Sequence, residues 1–203
     1  MAAAPAAFGL SVHSGWAVLV TVAGSRSDPI LLDRKRIELA HHVPAQPYHQ
    51  AAKLSDLATA KAVIKRAHDE ANRRALEAIS TAIAEAQRKG YDGRFAAVLA
   101  NQARPLPALE AILASHPLLH AAEGELFRSA LSNACEHHQL AVARCPEKDL
   151  YEESSRSLMI DPAAPRKRIA SMAKPVGPPW TADHKAAFVA GWRQLADHGC
   201  CPT

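Results

Sequence analysis

Apolar residues alternate with small or polar ones near the start of the chain. Phe8, Leu10 and Val12 are separated by Gly9, Ser11 and His13, the period-two pattern of a strand with one face more deeply buried. Ser14-Gly15 permits a tight turn, and 16–22 is a β-branched and aromatic run that reads as a second strand. The polar cluster Gly24-Ser25-Arg26-Ser27-Asp28-Pro29 leads into a third strand over 30–39. Connections this short predict antiparallel neighbours.

After residue 40 the period changes. Pro44 and Pro47 hold an extended connection, and 51–89 contains neither Gly nor Pro. Within it Leu57, Ile64, Ala67, Ala71, Ala75, Ile79, Ile83 and Ala86 recur at helical spacing, with Gly90 as the stop. A straight helix of that length would extend roughly 58 Å, whereas a compact chain of this size is about 45 Å across. The helix therefore bends or breaks near Ser55-Asp56, or one end projects. Residues 95–100 predict a buried strand and 109–114 a helical turn or two. A second helix is predicted over 117–138, with Ser115 or His116 as cap and Pro117 in the first turn, where a missing N–H costs little. A fifth strand follows over 140–145. The stretch 146–179 reads as irregular, with helical turns near 150–153 and 166–173. Thr181 caps a closing helix that runs to Gly199, with Trp180 and Trp192 packing it on the sheet. No internal repeat is present. The expectation is a single α/β domain over 1–203, with an irregular segment at 146–180 before the closing helix.

Composition narrows the class. The chain has 203 residues, 48% hydrophobic and 22% charged, enough to bury one core and far from the balance of a disordered chain. The formal charge is +4, with basic residues spread over Arg34-Lys35-Arg36, Lys65-Arg66, Arg73-Arg74 and Arg166-Lys167-Arg168. A dedicated nucleic-acid binder is usually more basic and more localised in its charge, so charge alone favours solvated faces. Cys135, Cys145, Cys200 and Cys201 make no C-x-x-C and no zinc-type spacing, which argues against a structural metal and for a reducing cytoplasm. No basic residue precedes Arg26, so the alanine-rich start does not read as a signal peptide. No run approaches the ~20 apolar residues of a membrane span.

Three consecutive strands, a long helix, a strand, a helix, a strand and a closing helix resemble the ribonuclease-H-like fold, above all the branch that contains the Holliday-junction resolvase RuvC. In that branch the first strand carries G-[IL]-D-x-G, and here stands Gly9-Leu10-Ser11-Val12-His13. The resemblance implies a mixed sheet in which the strand near Val98 pairs parallel to the first strand and the strand near Val142 lies beyond it. It also implies a nuclease that uses clustered carboxylates to hold two metals. The sequence departs from that pattern. Ser11 replaces the first aspartate, and Ala96-Ala97-Val98-Leu99-Ala100 contains no acid where the family's fourth strand carries a glutamate. Among the family carboxylates only Asp183, in the closing helix, has a counterpart. In the first turn of a helix Asp183 also serves the helix dipole, which is its structural role.

The densest polar group is Ser115-His116-Pro117-Leu118-Leu119-His120-Ala121-Ala122-Glu123. His116, His120 and Glu123 are four and three residues apart and project from one helical face, as metal ligands or proton carriers would. The order is not that of H-E-x-x-H, and three groups on one helix still need a fourth from elsewhere, for which His13 or Asp183 are the candidates. The expectation is therefore no metal and no cofactor. His13 ends the first strand, where this fold class builds its site. Neither phosphate-binding glycine motif is present, and Ser11 and Ser14 lie in no nucleophile elbow.

Three readings follow. The leading one is a cytoplasmic, non-catalytic binding or scaffold domain whose partner is a protein or a nucleic acid and not a membrane. The second is a divergent metal-dependent nuclease or hydrolase built on His13, His116, His120, Glu123 and Asp183. The third is nucleic-acid binding through Arg166, Lys167 and Arg168.

Overall fold

A computed structural model describes residues 3–199, so Cys200 and Cys201 lie outside the described residues. Five strands form one mixed sheet in the order β3-β2-β1-β4-β5. β1 (Ala4–His13) pairs antiparallel with β2 (Trp16–Gly24), which pairs antiparallel with β3 (Pro29–Glu38). β1 is parallel to β4 (Tyr91–Leu99), with Leu10 opposite Val98, and β4 is parallel to β5 (Ala141–Cys145), with Ala96 opposite Val142. The parallel pairing predicted for the Val98 and Val142 strands is therefore observed. β1 begins four residues before Phe8, and a register shift at Ala6/Ala7 lets its start follow β4.

The helix predicted over 51–89 starts only at Leu57, after the predicted break near Ser55-Asp56, and a short helix lies ahead of it where the prolines suggest an extended connection. α1 (Pro47–Ala51) ends early, and α2 (Leu57–Arg88) starts after Asp56, whose carboxylate accepts from the amides of Ala58 and Thr59 at 3.2 and 2.8 Å. An aspartate that satisfies two otherwise unpaired N–H groups is a strong start signal, so the chain changes direction there instead of projecting. α3 (Leu109–Leu113) precedes α4 (His116–His137), which has Ser115 at its N-cap and Pro117 in its first turn.

The stretch 146–179 is more ordered than its composition suggested. α5 (Leu150–Leu158) and α6 (Ala164–Val176) occupy most of it. Buried Leu150, Ser154 and Leu158, with Ile169 and Met172 on α6, tie these two helices to each other and to the core around α7, so tertiary burial supplies what local propensity did not. α7 (Ala182–Gly199) closes the fold.

The sheet separates two cores. Phe8, Leu10, Leu19 and Ile37 face α2 and α4. Ala7, Val18, Val20, Val22, Ala97 and Leu99 face α7, which buries Phe188, Val189, Trp192 and Leu195 against them. Each of the valine, leucine, isoleucine and phenylalanine side chains among them, fully buried, contributes about 1.5–3 kcal/mol. The helix lies directly on β1: a Cβ at Gly9 would stand 1.8 Å from the Ala187 carbonyl oxygen. Only glycine permits that approach. It fixes where the first turn of α7 meets the end of β1.

Candidate functional site

Asp183 lies one helical turn before Ala187, and Ser11 two strand residues after Gly9 on the same sheet face. The close contact at Gly9 thus carries Asp183 to the end of β1. Ser11 Oγ donates to Asp183 Oδ1 at 3.3 Å, and His13 Nε2 stands 3.0 Å from the same oxygen. With Asp183 ionised, the His13 ring carries its proton on Nε2 to meet it. Ser11 is buried, whereas His13 and Asp183 are part-exposed, with side chains 39% and 29% accessible.

A cleft of about 620 Å³ opens beside this cluster, lined by Trp16, Val18, Arg34, Arg36, Thr181 and His184 among others. The volume suits a small ligand or a few groups of a larger one. Trp16 and Arg36 of the cleft wall are stacked, the Arg36 guanidinium 3.9 Å from the Trp16 ring, and the His13 ring lies 4.1 Å from that of Trp16 and nearly parallel to it. Arg36 also pairs with Glu38 at 2.6 Å. Arg34 donates to the carbonyls of Val176, Gly177 and Pro178 at 2.9–3.2 Å, holding the segment between α6 and α7 at the cleft edge. On the floor His184 is buried, and its Nδ1 lies 2.7 Å from Thr181 Oγ1. Burial, with the Arg34 charge, pushes the His184 imidazole below its ordinary pKa. Thr181 immediately precedes α7, as expected of its cap, and its side chain engages His184.

The residues at the end of β1 do not fit the pair of divalent metals that the resemblance implies. Such a pair needs several converging carboxylates. Here one carboxylate is held by a hydroxyl and an imidazole, while Val98 and Leu99 on β4 are buried and apolar.

Glu123 does not join His13 and Asp183. It lies on the opposite side of the sheet, where α4 packs against α1 and α2. Its side chain is 1% exposed, Oε1 accepts from the His49 backbone N–H at 3.0 Å, and Oε2 stands 2.8 Å from His49 Nδ1. The second contact is a close charge approach without the alignment of a straight hydrogen bond. His116 and His120 stay exposed beside it, their rings 4.5 Å apart at the centroids. The candidates His13, His120, Glu123 and Asp183 therefore fall into two clusters. His49 had escaped the sequence reading. It stands in a short helix after two prolines, and the only sequence signal for it was one more histidine in a chain with 11.

The basic triplet is partly committed to structure. Arg168 pairs with Asp28 at 2.5 Å and donates to the Pro29 carbonyl at 2.9 Å, and the Arg166 guanidinium lies 4.3 Å from the Tyr151 ring centroid. Lys167 is exposed. Cys135 and Cys145 are buried free thiols, and burial, the main cause, drives the Cys135 thiol up to about 12. No described helix is long and apolar enough to cross a membrane.

No family profile matches the sequence, and neither does any curated protein. Solved structures do match. The chain is similar to Thermus thermophilus RuvC in complex with a Holliday junction substrate, with 12% identity and a TM-score of 0.53 over 93% of this chain and 91% of that one. It is similar also to a second Thermus thermophilus RuvC structure, with 13% identity and a TM-score of 0.50 over 93% and 92% of the two chains. Identities this low speak for architecture and not for chemistry. The mixed five-stranded sheet with its flanking helices is the ribonuclease-H-like fold of the RuvC structures.

Proposed function

We propose that this chain is a nuclease-related domain that binds nucleic acid at the cleft beside Asp183 and does not cut it. The observation that carries this reading is the engagement of the single carboxylate at the end of β1 by Ser11 and His13, in place of a converging set of acids. The wall of the cleft supplies recognition chemistry instead. The Arg36 guanidinium, stacked on the indole and half-exposed, offers its outer face to a base and its charge to a phosphate. Branched DNA is the first ligand to try, because the RuvC of similar fold was solved with a Holliday junction. Buried, unpaired Cys135 and Cys145 suit a reducing compartment, and we place the domain in the cytoplasm.

The test is fluorescence anisotropy with labelled four-way junction and linear duplex across a salt series, with gel analysis of the same mixtures in Mg²⁺ and Mn²⁺. Intact DNA is expected, with binding that falls as salt rises in proportion to the phosphates contacted. Arg36→Ala should weaken binding and reduce the salt slope. Cleavage that disappears in Asp183→Asn would return the domain to the nucleases. Absence of binding at low salt would leave a protein partner as the reading.

A further inference from the structure

On the face of the sheet opposite that cleft, one nitrogen from each of His49, His116 and His120 lies within 4.8 Å of the others. We propose that these three imidazoles form a mononuclear Zn²⁺ site in which buried Glu123 orients His49 from behind. Sequence spacing offered His116, His120 and Glu123 on one face of α4, but Glu123 is buried against His49 and does not join the cluster of nitrogens. The third imidazole comes from α1, which packs against α4 and brings the His49 ring to 4.6 Å from that of His120 and 5.5 Å from that of His116.

Glu123 separates this arrangement from a chance gathering of surface histidines. A carboxylate 1% exposed is costly unless it is engaged, and this one accepts from the His49 backbone N–H and stands 2.8 Å from ring Nδ1. A His49 tautomer with its proton on Nδ1 would direct it toward Glu123 Oε2, 2.8 Å away, and leave Nε2 with the lone pair for an ion. A carboxylate behind a histidine whose other nitrogen faces an ion is the usual support of a zinc-bound imidazole. The charge also has a use. Ligands at the start of α4 sit at the positive end of the helix dipole, which disfavours a cation, and Glu123 supplies the opposing charge within the same turns.

The geometry needs little adjustment. Nitrogens about 2.0–2.1 Å from zinc stand roughly 3.4 Å apart in a tetrahedron. His116 and His120 are exposed, so their rings swing the remaining distance at small cost. Three protein ligands leave the fourth position to water, on the solvent side.

The experiment uses the full chain, stripped with a chelator and titrated with Zn²⁺ alone by calorimetry, with metal content measured by mass spectrometry after dialysis. One ion per chain is expected, and Co²⁺ in its place should give the visible absorption of a tetrahedral site. His116→Ala and His120→Ala, both at exposed positions that leave the fold intact, should each abolish stoichiometric binding. Glu123→Gln keeps the acceptor for the His49 N–H and should weaken the ion by 10–100-fold. No retained ion, or one that survives both histidine substitutions, would overturn the proposal. These measurements contain no nucleic acid, so they stand or fall apart from the cleft.

Discussion

Asp183 and Glu123 occupy comparable positions on opposite faces of one sheet, each a helix-borne carboxylate in contact with a histidine from another element, yet their surroundings differ. Asp183 keeps 29% of its side chain in water, and Glu123 keeps 1%. A part-hydrated carboxylate loses little when a partner leaves, because water replaces it. A buried one has no such substitute and must hold its partner. The Asp183 cluster is therefore suited to exchange, open beside a cleft with an aromatic and cationic wall. The Glu123 cluster is suited to fixing a ring in one orientation. The backbone adds a second difference: α7 lies on β1 with no room for a side chain at Gly9, whereas α4 meets its neighbours through side chains.

Substitutions at two glycines give the largest contrast. Gly9→Ala places a methyl group against the Ala187 backbone carbonyl and should destabilise the fold by about 3 kcal/mol or more, read as a lower urea midpoint. Gly124→Ala, beside Glu123, meets only the mobile end of Arg128 and gains helix propensity, so a rise of up to about 1 kcal/mol is expected. Equal losses at the two sites would show that both faces are packed backbone to backbone.

Next come the two carboxylates themselves. Glu123→Ala leaves the His49 N–H without its acceptor in a buried place and should cost about 1–3 kcal/mol. Asp183→Ala removes a part-exposed pair and should cost no more than about 1 kcal/mol. Chemical denaturation of both variants side by side measures the difference, and the reverse order would break the comparison.

The smallest effect is in pH. The imidazole of His184 is depressed below 6.5 by burial and by Arg34, against the opposing pull of Asp183. On the other face His68 is depressed too, chiefly by burial, where it meets the Tyr48 hydroxyl. A histidine whose pKa is lower folded than unfolded binds fewer protons in the native state. Its contribution is complete above pH 6.5 and is lost as pH falls below that value. Stability should therefore decline between pH 6.5 and 5, and His184→Asn should flatten part of that decline in thermal unfolding at matched ionic strength. An unchanged slope would place the sensitivity on His68 and the opposite face.

The alternation of Leu10 and Val12 with Ser11 and His13, the β-branched run 16–22 and the apolar stripe from Ile64 to Ala86 determined the elements and their order. These are local periodicities that burial on one face imposes on any sequence. The missing acids at Ser11 and along 96–100 were likewise readable, since a residue type is a fact of sequence. The break at Asp56 was legible as one of two outcomes, and the capping bonds decided it. Of the helices in 146–179 only a turn near 150–153 and the middle of α6 near 166–173 were legible; their full lengths were not, because their stability comes from burying Leu158, Ile169 and Met172 in the core around α7 and not from their own propensity. Nor could the sequence assign partners. His13 and Asp183 are 170 residues apart, and His49 and Glu123 are 74 apart. Which histidine meets which carboxylate depends on where α7 settles over Gly9 and where α1 settles against α4, and only the packed tertiary structure decides that.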